Sequence, residues 1–210
     1  MRFSYKSRAR LIVAECRPDL RAQARTLLRL AVEADAQGNG LKDGAVIEYG
    51  WAPLRVKAED RDLLLCEPNY AGDPNEFVPT VDGTLHVLAG QTALLHGLGI
   101  EGVAAKYNQG VVLKRGVLQI PHIYLHRRSP VNEHDSGWYI GPADEGNRPP
   151  PDSELESTYV FSLLAPRPSL LQAMALPYEY LAVFDGDKIE VVLDPGGKTV
   201  WPRREQAEPA

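Results

Sequence analysis

Apolar residues recur at helical spacing over residues 19–37. Pro18 comes just before this segment and Gly38 just after it, and these residue types favour the first turn and the end of a helix, respectively. The spacing therefore predicts an amphipathic helix. Its expected buried stripe contains Leu20, Leu27 and Leu30.

Two more helices and a series of short strands complete the pattern. One helix is predicted over residues 84–96 with Asp82 as its cap, and a short one over residues 168–176. Hairpin turns are expected at Lys114-Arg115-Gly116 and at Asp185-Gly186. Strands are predicted at residues 8–14, 45–49, 54–57, 63–66, 111–113, 117–126, 138–140, 158–163, 180–184 and 188–192. Together these elements predict an α+β fold with mainly antiparallel sheets and three helices.

Three segments are expected along the chain. Residues 1–108 form an N-terminal α+β unit that resembles no family, and residues 109–195 form a second α+β domain. Residues 196–210 are rich in proline, glycine and charge, which is typical of a disordered tail.

Composition narrows the class of protein. The chain has 210 residues, of which 44% are hydrophobic and 24% charged, as in ordinary globular proteins. The only cysteines, Cys16 and Cys66, lie outside any CxxC motif, so neither a zinc site nor a disulfide scaffold is expected. The apolar run from Leu11 to Ala14 is too short for a signal peptide, and no stretch approaches the length of a membrane span. We therefore expect a cytoplasmic protein that does not bind membranes.

Negative charge is concentrated in residues 142–157. The net charge of −5 disfavours a nucleic-acid-binding protein. The segment contains a single cation, Arg148, and Pro149-Pro150-Pro151, which favours a stiff extended conformation. Its acidic residues are Asp144, Glu145, Asp152, Glu154 and Glu156. We expect these carboxylates to contact a cationic partner, although a solvated loop is an equally good interpretation.

A second candidate contact loop follows the third predicted strand of the N-terminal unit. It spans residues 67–75 and is rich in proline, asparagine and aspartate, which are turn residues. Its candidate contact residues are Tyr70, Asp73 and the adjacent Glu76.

The sequence Asp135-Ser136-Gly137-Trp138 predicts a sharp bend that directs a tryptophan into the core. An aspartate side chain can accept the backbone N–H two residues on, and glycine adopts positive φ readily. Arg127 and Asp135 bracket this stretch, so an ion pair between them is expected. Arg127, Pro130 and Asn132 precede the tetrad at spacings of three, two and three residues.

These residues, with Gly141, Asp144-Glu145 and the segment Pro168–Pro177, resemble the DSGW immunity-protein family. This is the thirty-third immunity family of the bacterial polymorphic toxins. The resemblance covers about residues 115–195. Two features differ from the family pattern. Pro142 and Ala143 separate Gly141 from the acidic pair, and Tyr178-Glu179-Tyr180 stands where the family has small residues.

The resemblance implies a non-enzymatic protein, without a cofactor, that binds and neutralises the C-terminal domain of a cognate secreted toxin inside the cell. Two alternatives remain open from the residues. His122, His126 and His134 could belong to a metal-dependent enzyme or a small-molecule-binding domain, but strand residues four apart are about 13 Å apart, too far to share one ion. The other alternative is a regulatory protein-interaction module unrelated to toxins.

Overall fold

The computed structural model describes residues 1–37, 40–144 and 150–202. It has two mixed sheets with helices, which confirms the predicted α+β class. By its internal contacts the chain forms two compact units, residues 1–89 and 90–210. The domain boundaries expected at residues 108 and 195 stay predictions.

The first unit is built on a six-stranded sheet with the order β1-β2-β5-β4-β3, and β6 pairs with β5. Only β2 and β5 run parallel among the paired strands of this sheet in the described residues. The elements of this unit are β1 (Arg2–Ser7), β2 (Arg10–Glu15), a 3-10 helix (Pro18–Leu20), α1 (Arg21–Ala36), β3 (Val46–Tyr49), β4 (Ala52–Glu59), β5 (Asp62–Pro68) and β6 (Phe77–Val78). Helix α2 (Asp82–Leu98) begins in this unit, and its residues from Gly90 on belong to the second.

Helix α1 buries a slightly different stripe from the one predicted. Leu27 and Leu28 are fully buried, whereas Leu30 is 45% exposed. At 3.6 residues per turn, Leu30 lies about 60° to one side of Leu27, whereas Leu28 lies about 100° to the other side, where the core is. The helix was therefore predicted correctly, and one member of its apolar face was wrong.

The buried carboxylate of Asp35 connects the end of α1 to the first two strands. It accepts hydrogen bonds from Ser7 Oγ at 2.6 Å, from the Leu41 N–H at 2.7 Å and from Arg10 at 3.1 Å. Burial alone would raise the pKa of Asp35, but these hydrogen bonds outweigh it and hold the pKa below its ordinary value. The charged form of Asp35 is therefore part of the native packing.

The N-terminus of helix α2 is capped by a residue of strand β5. Glu67 on β5 is buried, and its two carboxylate oxygens accept the N–H groups of Gly83 at 3.0 Å and Thr84 at 2.7 Å. The predicted cap, Asp82, is the first residue of α2, and it accepts the Arg17 N–H instead. Sequence proximity pointed to Asp82, but the free N–H groups at the start of a helix can donate to any carboxylate that the fold brings near.

The second unit is built on a seven-stranded sheet with the order β10-β7-β9-β8-β11-β12-β13. The pair β7–β9 is parallel, and the other strand pairs of this sheet in the described residues are antiparallel. The strands are β7 (Gly110–Lys114), β8 (His122–Arg127), β9 (Asp135–Pro142), β10 (Leu155–Tyr159), β11 (Leu181–Asp185), β12 (Lys188–Leu193) and β13 (Thr199–Trp201). The 3-10 helices are Val117–Gln119, Asp152–Glu154, Val160–Leu164 and Pro168–Ala173. The last of these stands where the third helix was predicted.

One predicted hairpin of this unit forms and the other does not. Strands β11 and β12 pair around Asp185-Gly186, as expected. Gly116 adopts the positive φ of a tight turn, but β7 and β8 are not neighbours, because β9 lies between them. The strand that follows the Lys114-Arg115-Gly116 turn therefore pairs with a segment further along the chain.

None of the described helices combines the length and apolar character needed to cross a bilayer.

Candidate functional site

The tetrad of residues 135–138 begins β9 and forms a bulge against β7. Gly110 pairs with Asp135 and Val112 with Tyr139, so β9 carries extra residues opposite Val111. The predicted corner is therefore a distortion inside a central strand. Asp135 Oδ1 accepts the Gly137 N–H at 2.8 Å, and Gly137 has φ +75°, which confirms both local predictions.

Gly137 is required at this position for two reasons. An added Cβ would meet the Arg128 carbonyl oxygen at 2.0 Å, a separation that real Cβ atoms do not adopt. The positive φ also disfavours any other residue. The same approach lets the Arg128 N–H donate to the Gly137 carbonyl oxygen at 2.8 Å. The bulge thus holds the loop that leads into it.

Ser136 and Trp138 fix the bulge from inside. Ser136 Oγ donates to the Gly110 carbonyl oxygen at 2.6 Å and accepts the Trp138 N–H at 3.3 Å. Trp138 is buried, as predicted, and its indole N–H donates to the Met174 carbonyl oxygen at 3.4 Å. The polar atoms of both side chains therefore bind backbone.

Arg127 is buried opposite Trp138 in the β8–β9 pair. Its Nε donates to the Ser136 carbonyl oxygen at 3.2 Å, and its Nη1 donates to the carbonyl oxygens of Leu176, at 2.6 Å, and Val103. Burial lowers the pKa of Arg127 to about 10, an effect that Tyr178 partly opposes. The guanidinium therefore stays charged at neutral pH and is satisfied by carbonyl oxygens.

The expected Arg127–Asp135 ion pair does not form in the described part of the chain. The second oxygen of Asp135 accepts the Val131 N–H at 3.0 Å, while the Arg127 guanidinium donates to backbone carbonyl oxygens. Asn132 shapes the same loop, because its side-chain oxygen accepts the His134 N–H at 2.9 Å. Pro130 is half-buried, and its nitrogen lies 3.5 Å from the position of a Cβ on Gly137. The motif residues thus contact one another and the local backbone.

The acidic candidates lie at the surface. Asp144, Asp152, Glu154 and Glu156 are exposed, whereas Glu145 lies outside the described residues. Glu154 is anchored: its carboxylate lies 3.5 Å from Lys114 Nζ, and its carbonyl oxygen accepts the Arg115 N–H at 2.9 Å. The side chains of Asp144, Asp152 and Glu156 remain candidate partner contacts.

The other candidate loop contains one packing residue. Tyr70 is half-buried, its ring stacks on the buried Trp51 at 5.1 Å, and its hydroxyl is 2.9 Å from Thr84 Oγ1. Asp73 accepts the Asn75 backbone N–H at 2.9 Å and so shapes the turn. Both Asp73 and Glu76 are exposed. They stay candidate contacts, and Tyr70 supports the core around Trp51.

The three histidines each lie beside a glutamate. His122 is 2.9 Å from Glu190 and His126 is 3.8 Å from Glu179, while His134 lies in the loop before β9 next to Glu133. A grouping of three or more His, Cys, Asp or Glu side chains suited to a metal ion was not found in residues 1–37, 40–144 and 150–202.

Sequence reasoning missed the partners of the buried arginines. Arg167 resembles Arg127: it is buried and donates to the carbonyl oxygens of Ile120, at 2.7 Å, and Gly186. Because both arginines bind backbone carbonyl groups, no complementary acidic residue in the sequence marks these contacts. The only available signal for Arg127 is its place in the inward-facing alternation of β8.

A family model described as Imm33-like domain matches residues 90–195. The match includes β7 to β12 and every residue of the bulge just described. Searches of curated proteins and of solved structures returned no match.

Proposed function

The chain belongs to the Imm33-like family, and on that premise we propose that it is an immunity protein that neutralises a cognate bacterial toxin by binding it in the cytoplasm. The observation that carries the proposal is the family match over residues 90–195. The burial of Arg127, Ser136 and Trp138 is consistent with it. Arg127, Ser136 and Trp138 bind backbone groups and are inaccessible to a partner, so the motif acts as a scaffold.

The exposed carboxylates support binding of a cationic partner. Asp144 follows the end of β9, and Asp152 and Glu154 precede β10. Toxins that act on nucleic acids or nucleotides need positively charged clefts to bind phosphate. These carboxylates would increase the rate of association with such a cleft, and salt would screen this effect.

Co-expression tests the proposal. The probe is the C-terminal domain encoded by the open reading frame next to this gene, produced from an inducible promoter with and without this chain. Rescue of growth, together with a complex of the two purified proteins, is the expected result. Continued killing at equal expression, with no complex in size-exclusion chromatography, would contradict the proposal.

The role of the acidic residues is tested separately by association kinetics. In Asp144→Asn/Glu156→Gln the association rate constant should fall about three- to tenfold at low salt, and less at high salt. The matched control, Glu101→Gln/Glu133→Gln, removes two exposed charges from the same unit but outside the acidic segment. Equal effects of the two double variants would assign the change to net charge alone.

A further inference from the structure

The two most exposed large apolar side chains of the second unit, among the residues that the structure describes, are Val131 and Tyr159. Val131 is 86% exposed and Tyr159 is 55% exposed, whereas Val112, the next in order, is 38% exposed. Val131 lies in the loop of residues 128–134 between β8 and β9, and six of these seven residues are exposed. The loop therefore protrudes into solvent and presents an apolar side chain.

Val131 and Tyr159 lie at the same end of the seven-stranded sheet. Asp135 begins β9 and Tyr159 ends β10, and both are paired with Gly110, the first residue of β7. Adjacent strands are about 5 Å apart, so the backbones of Asp135 and Tyr159 are roughly 10 Å apart. The Val131 N–H in turn donates to the Asp135 carboxylate at 3.0 Å. We call Val131 and Tyr159 the apolar pair.

The signature residues hold the loop that carries Val131. One Asp135 oxygen accepts the Val131 N–H, and the other accepts the Gly137 N–H at 2.8 Å, so a single carboxylate joins the loop to the bulge. Asn132 closes two turns, because its side-chain oxygen accepts the His134 N–H at 2.9 Å and its carbonyl oxygen accepts the Asp135 N–H at 3.2 Å. The position of Val131 is therefore fixed from β9.

Strand β7 and the residue before it hold the same loop from the other side. The Gly110 N–H donates to the His134 carbonyl oxygen at 2.7 Å, and the Gln109 side-chain amide donates to the Glu133 carbonyl oxygen at 2.9 Å. Tyr159 is positioned as well, because its ring stacks on Phe161 with 5.7 Å between the ring centres. Both members of the apolar pair are thus exposed and held in place.

This combination suits binding better than exposure alone. Single exposed apolar side chains are common on proteins. A loop that is already ordered, however, loses little conformational freedom when a partner binds it, and this raises affinity. Tyrosine adds a large contact area at a small cost in side-chain entropy. An exposed valine on a loop with so many hydrogen bonds is therefore suited to anchor a partner.

We infer that the apolar pair enters an apolar pocket of the toxin domain, and that Asp135 and Asn132 are positioning residues that hold Val131 for this contact. The inference rests on the proposed function. A protruding loop fits a concave partner surface, and the sites at which enzymes bind small molecules are concave and mostly apolar. The signature thus acts on the toxin through the loop that it orders, while its own buried side chains stay inaccessible.

The test measures association and dissociation rates of the same probe, the C-terminal domain from the adjacent open reading frame, on the immobilised full chain. Val131→Asp places a charge in the apolar contact, and the dissociation rate constant should rise at least about tenfold. Tyr159→Ala should also raise it, by a smaller factor. Val46→Asp is the matched control, because Val46 is a 52% exposed valine on β3 of the first unit. It adds the same charge and should leave dissociation unchanged.

The positioning role has a measurement of its own. Asp135→Ala keeps both members of the apolar pair but removes the acceptor of the Val131 N–H. In the free chain, hydrogen exchange of the Val131 amide should become faster. Fewer molecules then hold the binding conformation, so the association rate constant for the probe should fall several-fold. Unchanged exchange and unchanged association would contradict the positioning role.

The outcomes separate this inference from the proposed function. If wild type binds and rescues growth, while Val131→Asp and Tyr159→Ala dissociate like wild type, the apolar pair is not the contact and the inference is overturned alone. If the free chain is a dimer that Val131→Asp converts to a monomer, the pair binds a second copy, which also overturns it. If wild type neither binds nor rescues, the proposed function fails and this inference fails with it. Circular dichroism and thermal melting confirm that each variant is folded.

Discussion

The guanidinium carbon of Arg127 lies 5.5 Å from the centre of the Trp138 ring and 4.8 Å from that of Tyr178. Two aromatic rings and three carbonyl oxygens thus surround one buried cation. Because the guanidinium reaches segments around residues 103, 136 and 176, it ties distant parts of the unit to the signature strand.

Replacing Arg127 with Met should therefore destabilise the protein strongly. Methionine fills the space but leaves carbonyl groups without donors, and each unsatisfied buried group costs about 1–3 kcal/mol. We expect a loss of at least about 3 kcal/mol in urea unfolding followed by tryptophan fluorescence. Arg128→Met is the control, since Arg128 is exposed. Equal losses in both variants would show that general charge matters and the buried contacts do not.

Gly137→Ala should cost more than its backbone conformation alone explains. Gly137 and Gly197 have nearly equal φ, +75° and +76°, but a Cβ on Gly197 meets nothing within 4 Å. Gly197→Ala therefore measures only the strain of positive φ, about 1–2 kcal/mol. Gly137→Ala adds the collision with the Arg128 carbonyl oxygen, so its unfolding free energy should fall by about 3 kcal/mol or more. Similar values for the two variants would mean that the bulge relaxes without cost.

Asp35 should make the stability of the first unit depend on pH in the acid range. Its folded pKa lies below the ordinary value of 3.8, so its stabilisation is complete above that pH and is lost as pH falls through the folded pKa. Asp35→Asn should be less stable at pH 7 and lose less on acidification below pH 3.8. The free energy of unfolding measured at several pH values checks this. Asp19→Asn, at an exposed carboxylate, should keep the wild-type slope.

Glu67 should make stability change with pH in the opposite direction to Asp35. Burial raises its pKa above the ordinary value of 4.5, although the Thr84 and Gly83 N–H groups partly oppose this. A raised carboxyl pKa favours the protonated folded state, so stability falls as pH rises from 4.5 through the folded pKa. Glu67→Gln should flatten that part of the curve, and Glu67→Ala should lose about 2–4 kcal/mol by leaving two helix N–H groups without acceptors. The exposed Glu76→Gln serves as the control; an unchanged slope in Glu67→Gln would contradict the assignment.

Local chemistry in the sequence predicted local structure well. Asp185-Gly186 gives a hairpin, Gly137 takes positive φ, and Trp138 is buried, because each depends on residues close in the chain. The fold class and the long helices also follow from hydrophobic period. The family resemblance rests on the same short stretch and is confirmed by the match over residues 90–195.

Features set by distant segments were not predictable. The expected β7–β8 hairpin is wrong because β9 inserts between its strands, and β1 was missed because, apart from Phe3 and Tyr5, it consists of polar and charged residues. Arg127 binds carbonyl groups of residues 24 and 49 positions away, and carbonyl groups have no sequence signal.

The position of β9 between β7 and β8 has a consequence for the nascent chain. Both flanking strands leave the ribosome before β9 does, and each must keep an unpaired edge until residues 135–142 emerge. Such edges invite pairing with other chains, so synthesis passes through an interval in which the growing polypeptide is prone to aggregate. The strand that carries the buried tryptophan thus also pairs with these open edges.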